Sequence, residues 1–68
     1  MTIEERFGMR VRELRMRQGI SQEELAWRCG LSKNYVSDVE RGRRNVSLKA
    51  IEKFARGLRI PVYELFHY

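Results

Sequence analysis

With 68 residues, one cysteine and one histidine, the chain has room for one domain, no internal disulfide, and no evident Cys/His/acid cluster for a metal. Fourteen Lys+Arg against nine Asp+Glu leave a formal charge of +5, the electrostatic footprint of a small nucleic-acid binder. No apolar run nears the ~20 residues of a membrane span, and "MTIEERFGMR" lacks the uninterrupted apolar stretch of a signal peptide, so we expect a soluble, cytoplasmic protein with a reduced thiol.

Helix 1 is expected from about Ile3 to Gln18. Thr2 and Glu5 have the spacing of a capping box. Phe7, Val11 and Leu14 follow at i, i+4, i+7 and define one buried face. Gly19 ends the helix. Helix 2 opens on a second candidate box, Ser21 and Glu24, turns Leu25, Ala26 and Cys29 inward, and stops at Gly30. Helix 3 follows with Ser32 as N-cap and breaks at Gly42. Its apolar seam is only Val36 and Val39, which leaves Lys33, Asn34, Ser37 and Asp38 facing outward. Helix 4 starts after Ser47, with Leu48, Ile51, Phe54, Ala55 and Leu58 in a strong amphipathic pattern. Pro61 suits the first turn of a short helix 5 with Val62, Leu65 and Phe66 apolar. No stretch alternates with period two over strand length. The fold class is all-α, a five-helix bundle in a single domain over residues 1–68.

The join of helices 2 and 3 is the informative feature. Gly30-Leu31-Ser32 connects two short helices, and a turn that tight makes them cross steeply. Ala26 is small where the second helix must come close. Leu25, Cys29, Leu31, Val36 and Val39 form the seam that fastens the pair to the rest.

Residues 22–41, "QEELAWRCGLSKNYVSDVER", resemble the helix-turn-helix of the phage Cro and repressor proteins, the Xre family. "LRMRQGISQEELA" is similar to that family's passage from helix 1 to helix 2, "ERGRRN" to its loop after the recognition helix, and "IPVYELF" to its closing helix. Length and layout also resemble the small controller proteins of restriction-modification systems.

The resemblance implies a transcription regulator that binds double-stranded DNA by sequence and acts by occupying an operator. It places Lys33, Asn34, Ser37 and Asp38 as base readers in the major groove, where each base pair presents its own pattern of donors and acceptors. Asp38 is the awkward member, because phosphates repel a carboxylate; it is expected to accept from a cytosine amine or to hold Arg41. The implied phosphate contacts are Gln22, Ser32, Tyr35, Arg41, Arg43, Arg44 and Asn45. For Tyr35 two roles stand open, packing being favoured over a hydroxyl contact to phosphate. The family pairs the positions of Arg15 and Glu40 in a partly buried salt bridge.

Related proteins pair two-fold through the closing helix. The implied dimer region is about residues 58–68, with Ile60, Val62, Tyr63, Leu65 and Phe66 at the interface. Two recognition helices about 34 Å apart then demand a near-palindromic operator. No cofactor, small-molecule effector, membrane partner or catalytic constellation is indicated. Trp27 either covers helix 1 or makes an intermolecular contact. Two other roles, the antitoxin of a toxin–antitoxin pair and a protein-interaction or RNA-binding module, remain as alternatives.

The chain departs from the family pattern at three positions. Val46 stands where a proline is common. Arg59 stands where a glycine often ends helix 4, and Gly57 falls inside that helix. An irregular end to helix 4 is therefore expected, which leaves the placement of helix 5 open.

Overall fold

The computed structural model describes residues 1–68. It holds four α-helices, α1 (Ile3–Arg17), α2 (Gln22–Cys29), α3 (Lys33–Glu40) and α4 (Leu48–Leu58), and a closing 3₁₀ turn, Val62–Phe66. It contains no strand.

Each α-helix starts on a hydroxyl. The side chains of Thr2, Ser21, Ser32 and Ser47 accept from the backbone N–H groups of Glu5, Glu24, Tyr35 and Ala50, which satisfies one orphan donor at each helix start. Only the first is a full capping box: the Glu5 carboxylate accepts from Thr2 N at 2.8 Å, and that bond holds the Glu5 carboxyl below the usual carboxylate range. The expected second box is one-sided, because Glu24 pairs with Arg28 at 3.0 Å instead.

α1 packs mainly on α3, and α2 bridges α3 and α4. The core joins Phe7, Val11 and Leu14 of α1 to Leu25, Ala26 and Cys29 of α2, Val36 and Val39 of α3, and Phe54, Ala55 and Leu58 of α4. Phe7 and Phe54 meet edge to face with centroids 6.0 Å apart, a favoured aromatic geometry. Cys29 is buried in this seam, and burial pushes its thiol up to about 11, so it behaves as a small hydrophobe.

Gly57 and Arg59 turn out differently from the sequence expectation. A Cβ at position 57 would overlap Cys29 Sγ and lie 3.2 Å from Cys29 N. The glycine is thus the contact point of α4 with the end of α2. Nor is the end of α4 irregular. Arg59 takes the left-handed conformation (φ 58°, ψ 44°), Arg59 N donates to Arg56 O, and Ile60 N donates to Ala55 O. This closure repeats the end of α2, where Gly30 (φ 68°) and Leu31 make the same bonds to Trp27 O and Ala26 O. Leu31 and Ile60 both pack against the core, and that apolar anchor completes a Schellman-type cap. The left-handed arginine costs about 1 kcal/mol.

The fifth element is a 3₁₀ turn, where an α-helix was expected. Pro61 offers no side-chain cap, and five residues cannot repay helix nucleation. The Glu64 carbonyl accepts from His67 N at 3.4 Å, a 3₁₀-type bond, and also accepts from Arg10 Nε at 2.8 Å. The same guanidinium donates to Glu64 Oε1 at 3.0 Å and to Glu13 Oε1 at 2.9 Å. Arg10 is buried and clamps the C-terminal turn onto α1. Leu65, expected at a dimer interface, is fully buried in the core of the single chain and cannot reach a partner. Phe66 lies against Phe7, centroids 5.4 Å apart, but stays 40% exposed.

Candidate nucleic-acid interface

The two sides of α3 do different work. Its inner side, Val36, Val39 and Glu40, is buried. On the outer side Lys33 and Asn34 are exposed, and Ser37 and Asp38 are half-buried. The helix is held in place from behind by a buried polar knot. Glu40 accepts from Arg15 Nε at 2.7 Å, from Arg15 Nη2 at 3.1 Å and from Gln22 Nε2 at 3.0 Å. Arg15 Nη1 also donates to Ile20 O at 2.9 Å. One carboxylate thus joins the last turn of α1, the first residue of α2 and the last residue of α3.

That knot changes the picture of Gln22. One of its amide N–H groups is engaged by Glu40, so a phosphate here would meet its other N–H and the free backbone donors of the α2 N-terminus. Ser32 caps α3 through its oxygen, which leaves the hydroxyl proton available to donate.

The chain leaves α3 by folding back along it. Gly42 N donates to Val39 O at 3.0 Å, and Arg43 N donates to Asp38 O at 2.9 Å. This sets Arg43, Arg44 and Asn45, all exposed, beside the outer side of α3. Lys33, Arg41 and Arg43 form no ion pair, whereas Arg10, Arg15, Arg17, Arg28 and Arg56 each pair with a glutamate. Of the eight cations without an ion pair, these three lie on α3 or directly after it, and the other five are Arg6, Arg12, Lys49, Lys53 and Arg59.

Tyr35 is half-buried and stacks over Phe54, centroids 6.4 Å apart and planes 21° apart. The Arg44 guanidinium lies 5.0 Å from the Tyr35 centroid, within cation–π range. Asp38 does not hold Arg41, the partner expected from sequence; its Oδ2 lies 3.3 Å from Arg44 Nη2. Trp27 does not cover α1, since it is 81% exposed. Arg10 is the buried charge that sequence reasoning missed. Its signal was present: residue 10 falls three after Phe7 and one before Val11, on the buried side of α1.

This arrangement has counterparts among known proteins. The helix-turn-helix domain family matches residues 6–65. Over 91% of its length the chain is 44% identical to the control protein C.BamHI of Bacillus amyloliquefaciens, covering 78% of that protein. It is likewise 44% identical to the control protein C.MunI of a Mycoplasma species, over 90% of this chain and 84% of that one. Among solved structures, the restriction-modification controller protein C.AhdI of Aeromonas hydrophila superposes with a TM-score of 0.91 at 54% identity, covering 93% of this chain and 96% of that one. From the capped turn, the two-sided α3 and these matches together, the chain belongs to the helix-turn-helix domain family.

Proposed function

We propose that this protein is a DNA-binding transcription regulator of the restriction-modification controller type, which acts in the cytoplasm by occupying an operator. The observation that supports this most is the polar outer side of α3. It stands on a core-anchored turn with the unpaired charges of Lys33, Arg41 and Arg43 around it. An α-helix fits the major groove. Lys33 has the chemistry for guanine O6 and N7, Asn34 for adenine N6 and N7, and Ser37 for either partner. Arg41, Arg43, Asn45, Ser32 and the start of α2 at Gln22 fit phosphates, which set affinity and register.

Selection of bound duplexes from a random pool tests the reading. A preferred duplex should bind about 10³-fold or more above bulk DNA. On that duplex, Asn34→Ala should lose about 1–3 kcal/mol of discrimination at one base step. Arg43→Ala should weaken all duplexes alike and lower the salt slope by about one unit. Identical behaviour of the two variants would refute the division into readers and clamps.

The protein acts as a homodimer on a near-palindromic site. Val62, Tyr63 and Phe66 are 45%, 72% and 40% exposed on the closing turn, and half-buried Ile60 adjoins them. Leu65 is not among them. Sedimentation at micromolar concentration should show a two-chain species, and a monomer at every concentration would count against it.

A further inference from the structure

The ion pair between Asp38 and Arg44 joins one residue that the sequence pattern offers to a base with another that it offers to a phosphate. Asp38 belongs to the side of α3 that would face a polyanion. Unpaired, its carboxylate would oppose binding; 3.3 Å from Arg44 Nη2 it is neutralised. Arg44 is fixed a second time, because its guanidinium lies against the ring of Tyr35, and that ring rests on the fully buried Phe54. The backbone bond from Arg43 N to Asp38 O brings the loop to this spot. Arg43, one residue earlier, has neither an ion pair nor a ring beneath it.

The two neighbouring arginines are therefore built differently. A phosphate contact tolerates many directions of approach, and a mobile cation suffices. A base edge demands a guanidinium whose plane is aligned with the base, since two parallel N–H bonds must form at once. Holding the group beforehand reduces the ordering cost of that contact. Resting on the DNA-binding reading above, we propose that Arg44 is a base reader for a guanine edge, and that Asp38 reads no base itself but is the positioning residue for Arg44.

The test is a double-mutant cycle on the preferred duplex, on its single-base variants and on bulk DNA, with thermal melts to certify folding. Arg44→Ala should lose about tenfold or more of discrimination at one G·C step and keep the others. Arg44→Lys should lose the same preference while keeping the salt slope, because it keeps the charge. Asp38→Ala should lose part of the preference at that same step, and nothing further in the Arg44→Ala background. Asp38→Asn, which keeps shape without charge, serves as a second arm. Three results would overturn the proposal: an Asp38 effect on preference at a different step, an Asp38 effect on preference that persists without Arg44, or an Arg44→Ala loss that is equal for all duplexes, with no step singled out. A wild-type protein that prefers no duplex would overturn the regulator reading as well, so the two failures are distinguishable.

Discussion

Glu40→Ala is expected to cost about 3–5 kcal/mol of folding stability. The Glu40 side chain is only 3% exposed and that of Arg15 13%. Removing the carboxylate takes both charge-assisted bonds from Arg15 at 2.7 and 3.1 Å and the bond from Gln22 at 3.0 Å. Only the Ile20 carbonyl then remains to the guanidinium, and a dehydrated cation without a counterion is a strong penalty. A single core in a chain this small supplies roughly 3–5 kcal/mol in all, so the variant should be largely unfolded at room temperature. In a thermal melt the midpoint should fall by more than about 10 °C or the cooperative transition should vanish. The double variant Arg15→Leu/Glu40→Leu should be less damaged, since replacing both members with apolar groups leaves no stranded charge. A melting curve for Glu40→Ala that overlays the wild type would disprove the role of the knot.

Gly8→Ala is the second large effect, and its sign is opposite to the propensity rule. Inside an exposed helix alanine is favoured over glycine by about 1 kcal/mol. At position 8 the added Cβ would overlap the carbonyl oxygen of Val39 and lie 3.0 Å from the carbonyl carbon of Glu40. These are backbone atoms, which cannot rotate aside as a side chain can. α1 and α3 would have to part at the end of α3, beside the Arg15–Glu40 pair. We expect a net loss of about 1–3 kcal/mol in urea denaturation, together with weaker DNA binding, because α3 loses its support. A variant at least as stable as the wild type would show that the two backbones do not meet there.

The two residues behind these effects were unequally legible in the sequence. Glu40 was visible through the family resemblance, which pairs its position with that of Arg15. Gly8 was silent: apolar spacing reports which side of a helix is buried, not how closely two backbones approach. The same limit applied to Gly57, whose contact with Cys29 comes only from the crossing of α2 and α4. Local chemistry was legible. The hydroxyls at 2, 21, 32 and 47 declare their helix starts through short-range bonds, and Phe7, Val11 and Leu14 declare a face. The closing turn was misjudged because five residues close with 3₁₀ bonds and are held by Arg10, more than fifty positions away, which donates to the Glu64 carbonyl and carboxylate. Arg59 was misjudged because Ile60, anchored in the core, imposes a conformation that arginine alone disfavours. At the interface, residue types and their side of α3 could be read in advance. The pairing of Asp38 with Arg44 could not, because it depends on how the loop after Gly42 folds back.

The split character of α3 carries a consequence for how such a protein can change. Val36, Val39 and Glu40, with Tyr35 stacked on Phe54, fasten that rod to the body, while Lys33, Asn34 and Ser37 take no part in the apolar cluster. The second set can be exchanged at little thermodynamic penalty. A new target preference could therefore arise in a few substitutions on an unaltered scaffold, and close cousins with one architecture could serve quite different promoters.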